Sequence, residues 1–187
     1  VRYQYFSRPG AKNTSEVLEM ILSGVEEKGI KDVIIPSCSG RTALEAAQLL
    51  KEKANLVCVT HVTGFSEPNV QEMPPETRQK LEQMGLKVLT CQHAFGGVGR
   101  AVRKKLGTYQ IDEIIAYTLR TFGQGVKVAI EIALMAADAG LVRTDRDCIS
   151  AGGTATGIDT ALILTPANSA DFFDLKVREI ICKPAQF

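Results

Sequence analysis

Residues 33–47, VIIPSCSGRTALEAA, leave the backbone few options. Val33, Ile34, Ile35 and Pro36 read as the end of a short buried strand. From Thr42 onward, Ala43, Leu44, Ala47 and Leu50 fall on one face of a helix. Between them stand the small residues Ser37, Cys38, Ser39 and Gly40, followed by Arg41. A strand that turns this tightly into a helix aims several unpaired N–H groups at the carboxyl edge of its sheet, which suits an anion. Ser37, Ser39 and Thr42 can add hydroxyl donors, Gly40 permits positive φ or close approach, and Arg41 offers a guanidinium fork. The plain alternative is an ordinary helix start with Ser39 as the cap and Arg41 in solvent.

The rest of the chain repeats this alternation. A strand is expected over residues 1–6 and a helix from Asn13 or Thr14 to Gly29, with Val17, Leu18, Ile21, Leu22 and Val25 as its apolar stripe. After the helix over 42–53, residues 56–60 are apolar on both faces, as in a central parallel strand. The connection over 61–74 is long for a segment without regular structure, and such loops are often sites or lids. A helix begins at Pro75 and ends at Gly85, and a strand over 86–90 runs out into Cys91, Gln92, His93, Ala94, Phe95, Gly96 and Gly97. Helices are expected over 99–106, 112–121 and 126–139. The last is apolar around almost its whole circumference, compatible with burial against a sheet or with a homo-oligomer interface. Strands over 147–151, 160–165 and 175–182 complete the chain. Alternating strands and helices predict one α/β domain over 1–187, a three-layer α/β/α sandwich with a mostly parallel sheet and ligands outside its carboxyl edge. Four loops should meet there: 37–42, 61–65, 91–97 and 151–157.

This chain of 187 residues is long enough for one substantial core. Its 22 basic against 21 acidic residues create no global field for nucleic acid or acidic lipid. The five cysteines are dispersed and odd in number, as expected of reduced thiols in a cytoplasmic protein rather than a disulfide framework. No leader-like or membrane-spanning apolar run stands out, so neither membrane nor nucleic acid is an expected partner.

Ser37, Ser39, Gly40 and Thr42 occupy the fixed places of a motif in the carboxyl-terminal domain of pyruvate kinases: a hydroxyl residue, any residue, Ser, Gly, any residue, then Ser or Thr. A second block, Cys148-Ile149-Ser150-Ala151 followed by Gly152, Gly153, Thr154, Ala155, Thr156, Gly157, Ile158, Asp159 and Thr160, resembles that family's last effector loop before its final hairpin. The resemblance covers residues 13–183. It implies that domain's fold, a phosphate site on Ser37, Cys38, Ser39, Gly40, Arg41 and Thr42, and an effector-sensing or oligomeric role. The family's catalytic barrel has no counterpart, so pyruvate kinase activity is not expected. The 152–157 loop also lacks the aromatic and basic residues that grip a sugar bisphosphate in many members, which disfavours fructose bisphosphate.

Beyond the phosphate, the two histidines each follow a predicted strand. Phe65 and Phe95 lie in the same loops as His61 and His93 and can offer an apolar platform to a planar ring. Thr60, Gly96, Gly97, Gly152, Gly153, Thr154 and Gly157 complete the expected binding set. The preferred ligand is flavin mononucleotide (FMN), with another nucleotide or a sugar phosphate as the alternative. His61 or His93 can supply acid–base chemistry at a reference pKa of about 6.5, which leaves enzyme status open. No metal site is expected: two histidines are too few ligands, and Glu67 or Asp159 would have to join them.

Overall fold

The computed structural model describes residues 2–187. Among them, seven strands form one sheet: β1 (Gln4–Phe6), β2 (Asp32–Pro36), β3 (Asn55–Val59), β4 (Lys87–Leu89), β5 (Cys148–Gly152), β6 (Thr160–Thr165) and β7 (Lys176–Pro184). Their order is β1-β7-β6-β5-β2-β3-β4. β6 pairs antiparallel with β5 and β7, and every other pairing is parallel. The expected first strand is shorter than its pattern, and Val1 lies outside the described residues.

Among the described residues, six α-helices flank the sheet: α1 (Thr14–Lys28), α2 (Arg41–Leu50), α3 (Pro75–Gln83), α4 (Val98–Leu106), α5 (Ile111–Arg120) and α6 (Gln124–Asp138). The period of two along the central strands sorts their side chains into two cores. Val33 and Ile35 of β2 join Leu56 and Cys58 of β3 beneath α1, α2 and α3. Ile34, Val57 and Val59 face the other way, toward α5 and α6. This is the three-layer α/β/α sandwich anticipated from the alternation. No helix among the described residues is long and apolar enough to cross a membrane.

α6 is apolar around most of its circumference because most of it is covered. Buried residues run almost without a break from Gly125 to Ala137, against β5, β2 and β6 below and α5 above. Burial within this one chain therefore accounts for the pattern that was also compatible with an oligomer interface. Its first turn approaches the sheet very closely: a Cβ on Gly152 would stand 1.9 Å from the Gly125 carbonyl oxygen. Only glycine fits there, so Gly152, expected among the ligand-binding residues, serves helix-to-sheet contact.

The two edges of the sheet differ. At the amino edge, Asp32 is closed off by Asn55 Nδ2 at 2.7 Å and Arg146 Nε at 2.8 Å. At the carboxyl edge, β2, β3, β4 and β5 open into the four loops expected to meet.

Candidate functional site

β2 continues past Pro36 by one more ladder bond, Ser37 N–H to the Val59 carbonyl at 3.0 Å. The chain then turns through Gly40, whose φ of 88° lies in the left-handed region. A Cβ at Gly40 would also stand 2.3 Å from Thr77 Cγ2 on α3. Gly40 is thus required by backbone conformation and by the packing of α3, rather than by the approach of an anion. The cap is also not where the alternative reading placed it: Ser37 Oγ, not Ser39, accepts from Ala43 N–H, at 3.3 Å. Leu44 N–H is the first to reach a helical carbonyl, that of Gly40 at 2.9 Å. Among the described hydrogen bonds, the N–H groups of Arg41 and Thr42 remain unclaimed, which leaves donors and the helix dipole available to an anion.

These residues form one wall of a cavity of about 350 Å³. Ser37, Cys38, Ser39, Arg41 and Thr42 face Gly153, Ala155, Thr156 and Gly157 across it, with His61 and Glu72 at one side. The opposing loop is fixed from behind by Asp159, fully buried, whose Oδ2 accepts from Gly10 N–H at 2.9 Å and Thr154 N–H at 3.2 Å. Oδ1 takes the Thr160 hydroxyl at 2.9 Å. Ala155, at the tip, has φ of 63°, an uncommon conformation for a residue with a Cβ and a local store of strain. The buried Thr154 hydroxyl finds no partner.

A second cavity, about 180 Å³, adjoins the first. Pro36, Cys38, His61 and Val128 line both. Its own walls are aromatic and charged: Thr60, Phe65 and His93 on the loops, Arg100 on α4, Arg120 on α5, and Lys127 and Glu131 on α6. Phe65 stacks on His61 with centroids 3.9 Å apart, lies 5.4 Å from the His93 ring, and has the Arg100 guanidinium 5.4 Å from its centroid. Thr60 is buried and bonded to Thr90 Oγ1 at 2.7 Å and to the His61 carbonyl at 2.8 Å, so its hydroxyl braces the loop.

The two histidines differ in surroundings. His93 Nε2 accepts the Val62 N–H at 3.3 Å, which places its proton on Nδ1. Burial holds its pKa below the usual histidine value; Glu131 opposes this, while His61, Lys127 and Arg100 reinforce it. His61 Nδ1 lies 2.5 Å from Glu72 Oε2, a carboxylate that orients the ring. Cys38, beside it, is pushed up to about 11 by burial and by the Glu72 charge.

Phe95 is the expected platform that the structure places elsewhere. It is 6% exposed and meets Phe172 edge-on at 5.7 Å. Its N–H donates to Glu131 Oε1 at 3.0 Å. Glu131 in turn pairs with Lys127, both buried, and burial lowers the lysine pKa. The Gly96–Gly97 turn carries the chain into α4 rather than lining either cavity: Gly97 is the residue before its first turn, and Gly96 abuts Arg100. Glu67 remains exposed in its loop, and Asp159 is committed to loop support.

Sequence reasoning missed Glu72, Arg100, Arg120, Lys127 and Glu131. Lys127 and Glu131 did leave a trace, since an i,i+4 opposite-charge pair inside an otherwise apolar helix marks charges that point into the fold. Glu72 left none, because no period governs residues 61–74. No family model matches the chain.

Proposed function

We propose that this protein binds a phosphorylated aromatic ligand, FMN in preference to another nucleotide or a sugar phosphate. In this reading the phosphate rests on residues 37–42 and the ring enters the cavity beside Phe65 and His93. One observation carries it: a cavity walled by anion donors shares Pro36, Cys38, His61 and Val128 with one walled by stacked aromatic rings. Phosphate donors at one end and an apolar, polar-rimmed slot at the other are what a phosphorylated planar ligand requires. The charge balance agrees, with Arg41, Arg100, Arg120 and Lys127 around the two cavities against Glu72 and Glu131.

The same reading places the chain with free-standing relatives of the pyruvate kinase carboxyl-terminal domain, on the strength of the 37–42 motif and the 148–160 block. Without the catalytic barrel, the shared property is recognition of a phosphorylated small molecule. Quenching of FMN fluorescence on titration with the protein tests it. Binding with submillimolar affinity, reversed by inorganic phosphate at high concentration and weakened in Phe65→Ala, is the expected result. Absence of binding for FMN, adenine nucleotides and sugar phosphates alike would refute the assignment.

A further inference from the structure

We propose that Cys38, His61 and Glu72 form a site for a borderline-soft divalent cation of the zinc class, which the flavin reading neither assigns nor requires. One sulfur, one imidazole nitrogen and one carboxylate oxygen, from the β2–α2 turn, the exit of β3 and the long connection before α3, all lie within 4.8 Å of one another. Around a tetrahedral zinc ion, with nitrogen and oxygen at about 2.0–2.2 Å and sulfur at about 2.3 Å, ligand atoms stand roughly 3.3–3.8 Å apart. Entry of the ion therefore opens the His61–Glu72 hydrogen bond by about 1 Å and draws in the sulfur, a side-chain adjustment. The mixed sulfur, nitrogen and oxygen set favours zinc over the hard cations magnesium and calcium, which prefer oxygen alone.

The surroundings hold these ligands in place. Phe65 stacks on the His61 ring. Gln71 bridges the segments on either side of Glu72, its Nε2 donating to the His61 carbonyl at 3.1 Å and its Oε1 accepting from Met73 N–H at 3.1 Å.

Electrostatics supplies an independent reason for a cation. Glu72 lines the cavity that also holds Arg41 and the start of α2. A lone carboxylate there repels the anion that the other walls attract, and a divalent ion on Cys38, His61 and Glu72 reverses its sign. Coordination releases the Cys38 S–H proton to solvent, since the thiolate is the ligand. Three protein ligands leave a fourth position for water or an anionic oxygen in the cavity.

Cobalt(II), a spectroscopic substitute for zinc, tests the site on the metal-free protein with no flavin present. One equivalent should bind, with near-ultraviolet thiolate-to-cobalt absorption and the visible bands of a tetrahedral ion, and zinc should displace it. Cys38→Ser should abolish the ultraviolet band while the half-buried Cys91, replaced in Cys91→Ser, should leave it intact. Glu72→Gln, at an exposed side chain, should weaken cobalt binding by at least the ~10–100-fold seen when an outer-shell partner is lost. Wild-type circular dichroism in each variant confirms that the comparison concerns folded protein. No thiolate band in the wild type, a band that survives Cys38→Ser, or unchanged affinity in Glu72→Gln would each overturn the proposal. FMN titration of the metal-free protein reads the flavin assignment separately, so either can fail alone.

Discussion

The two ends of the cleft are built in different ways. The end formed by residues 37–42, where the proposal seats the phosphate, is local: one turn of six residues supplies hydroxyls, N–H groups and an arginine, and its opposing loop is likewise a single short stretch. The ring end is assembled from distant parts of the chain, with His61 and Phe65 from one loop, His93 from another, Arg100 from α4 and the Lys127–Glu131 pair from α6. Under the proposal, backbone groups hold the ligand at the first end, while side-chain charges and aromatic faces hold it at the second. Substitutions of the buried charges at the ring end should therefore disturb the fold and the cleft together, whereas removal of the exposed Ser39 hydroxyl at the other end should leave the fold intact.

The largest effect expected is at the ion pair that backs the ring end. Glu131→Ala strands the buried Lys127 ammonium and the Phe95 N–H, a loss of about 3–5 kcal/mol in folding stability. Denaturant unfolding measures it. Replacing both members by apolar residues, Lys127→Met with Glu131→Leu, should recover most of that loss, because it is the unpaired charge that is costly. A single-variant loss no larger than that of a surface change would contradict the burial on which the contrast depends.

Next in size is Gly40→Ala. The left-handed φ and the contact with Thr77 together should cost about 2–4 kcal/mol. Thr77→Ser, which removes the obstructing Cγ2, should restore the steric share and not the φ share. A double-mutant cycle in thermal unfolding separates the two. If Gly40→Ala is neutral, the phosphate end is less constrained than its geometry implies.

A smaller effect depends on pH. The folded-state pKa of His93 lies below its unfolded value, so the unfolded chain binds more protons in the interval between them. Its contribution to stability is complete above the unfolded value of about 6.5 and is lost as pH falls from there through the folded pKa. His93→Gln keeps an acceptor for Val62 N–H and does not titrate. Its stability should vary less than that of the wild type over the mildly acidic range above the carboxylate pKa values. Parallel profiles for the two proteins would remove His93 as the source.

The smallest effect belongs to the strained tip of the 153–157 loop. Ala155→Gly relieves the left-handed strain at φ 63° but gives the unfolded chain more freedom, for a net gain of no more than about 1 kcal/mol. A clear loss of thermal stability would show that the Ala155 methyl group supports the cavity wall.

How far these regions were legible follows from how they are built. The strand, turn and helix around residues 33–50 declared themselves because the apolar period changes from two to 3.6 across a run of small residues. Their bounds differ from expectation by a few residues at most, the helix ending at Leu50 rather than Lys53. That four loops meet at the carboxyl edge follows from parallel topology alone, and Ser37, His61, Phe65, His93 and Gly153 all line one or both of the adjoining cavities. What the residues did not disclose was direction. Phe65 and Phe95 have similar settings in sequence, yet one flanks the cleft and the other fills the core beneath α6. The Ser37 hydroxyl serves as the helix cap, and the constraint on Gly40 comes from Thr77, 37 positions along the chain. Such assignments depend on tertiary neighbours, for which a local pattern carries no signal.

The division of labour within the cleft is tested most directly by measuring FMN and riboflavin affinities side by side in the wild type, Ser39→Ala, Arg41→Ala and Phe65→Ala. The wild type should prefer FMN by at least roughly tenfold, as hydrogen bonds to a charged group contribute about 1.5–3 kcal/mol. Ser39→Ala and Arg41→Ala should reduce that preference while leaving riboflavin binding unchanged, and Phe65→Ala should weaken both flavins by the same factor. Equal affinity for FMN and riboflavin in the wild type, or a preference that survives both changes at the phosphate end and falls only in Phe65→Ala, would contradict the account.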